Sequence, residues 1–203
     1  MLVVLGLTFL AVGAVAPGAA PAAVTRPPIP HPTQPNAVIF RITSTLNFFG
    51  GAYDNGEAIT IAASTTTGTI AGGGLVTIVP GYAEPRTRPQ GTDGRPLGTH
   101  VVHVDEAVLQ KVLRRARRVG LLGSSPPDTG APLVTDQGTT TTEVHAGGVD
   151  RTIDVYALLL PEGDRGLHAK ERRVRRWLRA FIHDLRRPVY YRVSPALEAP
   201  ATN

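Results

Sequence analysis

Apolar and polar positions change period along this chain, and each change predicts a different element. Residues 2–15 carry no charge and are almost all apolar. From Ala37 to Phe49 (AVIFRITSTLNFF) the residues are β-branched and aromatic, which predicts a strand. Gly50-Gly51 and Asp54-Asn55-Gly56 read as turns, and Ala58 to Ala63 (AITIAA) as a second strand. Thr69–Ala71 and Leu75–Val79, separated by Gly72-Gly73-Gly74, continue the sheet, and His100–Val104 is a short strand. Residues 80–98 hold four prolines and four glycines. A loop that long is functional or mobile.

The period then lengthens. Val108, Leu109, Val112, Leu113, Ala116 and Val119 form one apolar stripe at helical spacing and predict a helix over 105–119. Asp105 suits the N-cap, Gly120 suits the left-handed C-terminal cap, and Leu121-Leu122 can fold back onto the helix. Thr139–His145 and Arg151–Leu158 predict a hairpin turned at Gly147-Gly148, with Ile153, Val155 and Ala157 alternating on its buried face. A last helix is predicted over 167–187, where Val174, Trp177, Leu178, Phe181, Ile182 and Leu185 make the stripe and Trp177 is assigned to the core. Pro188 ends it, and Val189–Val193 could add an edge strand.

Strands followed by helix, hairpin and helix predict an α+β fold: an antiparallel β-sheet with two helices packed on one face. The order is three strands and a short fourth, a helix, two strands, a helix and a terminal edge strand. No internal repeat is visible. Ala20-Pro21-Ala22 fits an A-x-A cleavage site after the apolar run, so residues 1–22 read as a signal peptide or, failing cleavage, an N-terminal anchor. Residues 23–36 carry Pro27, Pro28, Pro30, Pro32 and Pro35 and read as a stiff, coreless linker. Residues 37–188 form the single domain, and 189–203 the edge strand and a loose tail. The expected location is secreted or at the extracytoplasmic cell surface; the alternative is N-terminal anchoring in the membrane. A domain of about 150 residues buries enough surface to need no staple. The chain has no cysteine, which excludes disulfides, lipobox acylation, thiolate metal sites and a cysteine nucleophile.

Several segments together, ITIAASTTTGTI, PGY, VDEAVLQKVLRRARRVGLLG, LVTDQGTTTTEVHAGG, IDVYAL and the closing Arg-rich helix, resemble an uncharacterised domain of small exported proteins of actinobacterial type. The resemblance spans roughly residues 38–187. It implies export and an α+β fold, and carries no activity and no site residue.

Tempting motifs dissolve on inspection. Asp128-Thr129-Gly130 spells the aspartic-protease signature, but that chemistry needs paired carboxylates leaving a buried strand; Pro126-Pro127 place Asp128 in an exposed turn. His100 and His103 point to opposite faces of a strand, and neither H-E-x-x-H, G-x-S-x-G nor a phosphate loop occurs. No catalytic, cofactor or metal residue is therefore nominated. The 80–98 loop leaves open an inhibitor or accessory role, and an exported hydrolase with unrecognised residues is the enzymatic alternative.

Charge is more informative. The chain is net +5, yet residues 105–118 alone carry +3 and residues 165–187 carry +7. At about 100° per residue, Arg114 and Arg118 oppose the apolar stripe of the first helix, and Arg172, Arg176, Arg179 and Arg187 that of the second. With both helices on one face, these six arginines would form a basic field for an anionic surface, an acidic lipid or an acidic wall polymer. Nucleic acid is disfavoured, because no stacking aromatics interleave with the arginines. The function expected is an exported, non-enzymatic domain binding an anionic cell-surface component.

Overall fold

The computed structural model describes residues 26–48, 51–64, 73–79, 98–134 and 137–191. The signal-like segment, most of the 80–98 loop, the Thr69–Ala71 strand and the tail after residue 191 lie outside them. Six strands form one antiparallel sheet: β1 Val38–Phe48, β2 Gly51–Ala63, β3 Gly74–Val79, β4 His100–Val104, β5 Thr139–Ala146 and β6 Val149–Tyr156. Their order across the sheet is β4-β3-β2-β1-β5-β6. The first four are a meander, and helix α1 (Glu106–Arg118) carries the chain across to place β5 against β1. Helix α2 (Ala169–Leu185) follows the β5–β6 hairpin. This is the α+β sheet-and-two-helix architecture expected.

The alternation of the strands decides which face is covered. Ile59 and Ile61, Val76 and Ile78, and Ile153 and Val155 are buried, while their neighbours in sequence are only half-buried or exposed. β1 has two consecutive buried residues, Ile39 and Phe40. The register slips there, with Val38 opposite Ala62 and Phe40 opposite Ile61, so a bulge turns both side chains inward. The helices cover this inner face: Phe181 of α2 meets Phe40 edge-to-face at 5.8 Å, and the stripes of both helices join one core. The opposite face holds Arg41, Thr43, Thr60, Thr77, Thr141 and Glu143, all half-buried.

Local signals explain the ends of the elements. The Asp105 carboxylate accepts from Val108 N at 2.8 Å, capping α1. Gly120 takes φ +90°, and Leu121 and Leu122 return to the core. Gly147 and Gly148, at φ +66° and +78°, supply the turn that matches the twist of the β5–β6 hairpin. Pro188 follows α2 as expected.

Four expectations are corrected. Asp54-Asn55-Gly56 is not a turn: it lies within β2, where the register shifts between Ser44 and Thr45. The edge strand expected from Val189 is a 3-10 turn, Pro188–Tyr191, because Tyr191 buries its ring and donates its hydroxyl to Leu185 O at 2.9 Å. Burial pushes that phenol far above its ordinary pKa.

The third correction concerns the proline-rich segment, where residues 29–31 are no coreless spacer. Ile29 is 2% exposed within the core. Its N–H donates to Gln110 Oε1 at 2.7 Å, and its carbonyl accepts from Gln110 Nε2 at 2.9 Å. Pro30 O accepts from Gly147 N at 2.7 Å, and His31 Nε2 lies 3.1 Å from Glu106 Oε1. An apolar residue among prolines, facing a buried glutamine with two free hydrogen-bonding groups, becomes a strap over α1.

The fourth concerns Trp177, which is 49% exposed. The inward line of α2 runs through Arg175, Leu178, Ile182 and Leu185, and Trp177 stands on its flank.

Candidate functional site

Trp177 opens the site. With Ala180 of α2, with Lys111, Arg115 and Arg118 of α1, and with Tyr190 of the terminal turn, it lines a shallow groove of about 750 Å³. Lys111, Arg115 and Arg118 are four and three residues apart, so they stack along one flank of α1. Tyr190 is placed by Pro188 and by its edge-to-face contact with Tyr191, at 5.4 Å. Its ring lies under two cations: Lys111 Nζ is 5.2 Å from the centroid and the Arg115 guanidinium 5.6 Å.

The three cations are not equivalent. Arg115 Nη2 pairs with Asp184 Oδ2 at 2.5 Å and reaches Ala180 O at 3.5 Å, fastening α1 to α2. Burial alone would raise the Asp184 carboxyl, but the hydrogen bond and charge of Arg115 outweigh it and hold it below the usual range. Among the described residues no carboxylate pairs with Lys111 or Arg118. They project from the groove as exposed, uncompensated positive charges.

The arginines expected to make one field are divided. Arg118 lines the groove. Arg176, beside Trp177, and Arg187, just before Pro188, are exposed. Arg114 is half-buried on α1 outside the groove. Arg172 is exposed but sends Nη1 to Leu167 O at 2.5 Å. Arg179 does not oppose the stripe freely: it is half-buried, grips both oxygens of Asp164 at 2.8 and 2.5 Å, and reaches Leu158 O at 3.2 Å.

Arg179 belongs to an internal network centred on Arg175, which is fully buried. Arg175 donates Nε to Asp164 Oδ1 at 3.1 Å and Nη2 to Tyr156 O and Ala157 O at 2.9 and 2.7 Å. It thereby ties α2 to the end of β6 and to the 3-10 turn Pro161–Asp164. Gly163 is required for this approach, since a Cβ there would stand 1.8 Å from Ala157 O and 2.8 Å from Arg175 Nη2. Hydrogen bonding to Arg179, aided by Arg175, holds the Asp164 carboxyl below its ordinary pKa against the effect of burial. Desolvation lowers that of Arg175. The sequence signal was Arg175, three residues before Leu178 on the inward line.

A second cavity, about 200 Å³, lies at the end of the sheet where the inner face turns polar. Ser44 stands between Glu57 and Thr140 in the register, and Arg186 closes over them, donating Nη2 to Glu57 Oε2 at 2.8 Å. Burial raises the Glu57 carboxyl although Arg186 opposes it. No imidazole is among the lining residues described.

The remaining motifs stay apart. Asp128 is exposed, with Lys170 Nζ 3.7 Å from Oδ2. His100 and His103 lie exposed on β4, opposite Ile78 and Leu75. Among the described residues no three His, Asp or Glu side chains gather as metal ligands, and no helix is long and apolar enough to cross a membrane. No family model, curated protein or solved structure matches the chain.

Proposed function

We propose that this chain is an exported, non-enzymatic domain that binds an anionic component of the cell surface through the groove between α1 and α2. The observation supporting this most directly is Trp177, half-exposed in a groove that also presents the uncompensated charges of Lys111 and Arg118. A soluble domain gains nothing in stability by leaving so large an apolar ring in water. Three cations beside two aromatic rings form a surface suited to a partner that is negatively charged and partly apolar. The proposal of export rests on the apolar run of residues 2–15 and on Ala20-Pro21-Ala22.

Among the described residues, the cavity of Ser44, Glu57 and Thr140 is the arrangement an exported hydrolase could draw on. There Arg186 engages Glu57 and no histidine is among the described lining residues, so the groove supports the binding reading better.

Retention on immobilised polyphosphate tests the proposal. The parent should bind at low ionic strength and elute with salt, since screening contracts from ~10 Å at 0.1 M to ~3 Å at 1 M. Lys111→Glu with Arg118→Glu reverses both free charges and should abolish retention while leaving the fold intact. Equal retention of parent and double variant would defeat this reading.

A further inference from the structure

We propose that the groove docks on the acidic headgroup layer of a phospholipid bilayer, with Trp177 and Val189 entering the interface. This rests on the anionic-binding reading above and goes further by naming the partner.

A soluble polyanion would leave part of this surface without a partner. Phosphates on a flexible polymer would be met by the exposed cations alone. Trp177 and Val189, 49% and 60% exposed, would remain in water. Val189 adjoins Tyr190, which lines the groove with Trp177. The surface thus offers two apolar side chains with cations around them: Lys111 and Arg118 in the groove, Arg176 next to Trp177, and Arg187 two residues before Val189.

A bilayer interface satisfies both halves. Tryptophan partitions to headgroup level, where its ring is apolar and its N–H stays hydrated. Lysine and arginine lay their stems along the apolar boundary and keep their charges among the phosphates. Each basic side chain at an acidic membrane surface strengthens binding roughly fivefold. Tyr190 of the Pro188–Tyr191 turn lines the groove with Trp177, so the turn that carries Val189 borders the groove. Such docking is peripheral, along the surface rather than through it.

Trp177 is the chain's only tryptophan, so its emission reports this site alone. The full chain is titrated with phosphatidylcholine vesicles, with and without phosphatidylglycerol, including lipids brominated on the acyl chains. We expect a blue shift and bromine quenching with the acidic vesicles only, reversed by 1 M salt. Lys111→Glu with Arg118→Glu should weaken vesicle binding at least 25-fold, the product of two roughly fivefold losses. Val189→Gln, uncharged and at an exposed position, should weaken it severalfold by removing the apolar contact and leave polyphosphate retention unchanged.

The control on residues 2–15 is internal, since binding through that segment would not depend on Lys111 and Arg118. Salt-sensitive retention on polyphosphate without any shift or bromine quenching on vesicles would overturn the lipid proposal and leave the anionic-groove reading standing. Loss of both kinds of binding would remove both. Quenching unaffected by the charge reversals or by Val189→Gln would also overturn the docking proposed here.

Discussion

Arg175→Met should destabilise the domain by about 3 kcal/mol, although methionine is unbranched, flexible and suits a core. The estimate follows from what Arg175 touches. It is fully buried and donates to Asp164, Tyr156 O and Ala157 O. Removing one partner of a buried ion pair costs about 3–5 kcal/mol, and each carbonyl left without a donor adds about 1–3 kcal/mol. Two effects offset this. The guanidinium no longer has to be desolvated, and Asp164 keeps both of its bonds from Arg179. A net loss near the low end is therefore expected. For a domain of this size each kcal/mol moves Tm by about 2–4 °C, so the midpoint should fall by roughly 6–12 °C. Thermal unfolding followed by far-UV circular dichroism measures it. Arg176→Met, one residue along and exposed, is the control and should stay within about 0.5 kcal/mol of the parent. If the two variants melt together with the parent, the desolvation cost of Arg175 equals everything the network contributes, and the structural role argued for it is wrong.

Acid should weaken the same network. The folded Asp164 carboxyl is held below its ordinary value, so its contribution is present above the unfolded pKa of about 3.9 and is lost as pH falls through the folded value; urea midpoints between pH 7 and 3 should decline less steeply in Asp164→Asn than in the parent. Gln110→Leu strands the N–H and carbonyl of Ile29 and should cost about 2 kcal/mol, with faster proteolysis after Arg26 as a direct readout of strap release. Under the proposed export, mass spectrometry of culture supernatant should find an N-terminus near Ala23, which keeps the Ile29 strap; intact chain confined to the membrane pellet would contradict cleavage.

Much of the fold was legible because its signals were local. Asp105 before the α1 stripe, Gly120 after it, Gly147-Gly148 between two alternating strands and Pro188 after α2 each act within a few residues. What escaped depended on contacts distant in sequence. Nothing near Ile29 indicates that Gln110, 81 residues on, will bond its backbone. Asp54-Asn55-Gly56 has turn composition, but pairing with β1 takes it into β2. Tyr191 follows a proline, as an edge strand can, yet the Leu185 carbonyl and the core draw it into a turn. Trp177 was misplaced because hydrophobicity alone cannot choose between two lines of residues on one helix. Arg175 occupies the inward line, and its burial is possible only because Asp164 and the end of β6 lie opposite.

That exchange between Arg175 and Trp177 also changes how the basic charge is to be read. A count over residues 165–187 gives +7, as though every arginine were available to a partner. Arg175 and Arg179 are spent on Asp164 and on backbone carbonyls, Arg186 on Glu57, and on α1 Arg115 is spent on Asp184. These side chains hold the helices in place and would be poor binding residues, because a ligand would have to displace an ion pair that the fold uses. The charges left over are fewer: Lys111 and Arg118 beside Trp177, Arg176 and Arg187 exposed on α2 and just beyond its end, and Arg117, Arg165 and Arg173 exposed outside the groove. A binding role therefore rests on a groove whose arginine Arg115 is fixed by the fold and whose outer cations are free. Charge reversal at Arg179 is for the same reason the wrong test of that role. It would set a carboxylate against Asp164 and damage the fold, whereas reversal at Lys111 and Arg118 isolates the surface.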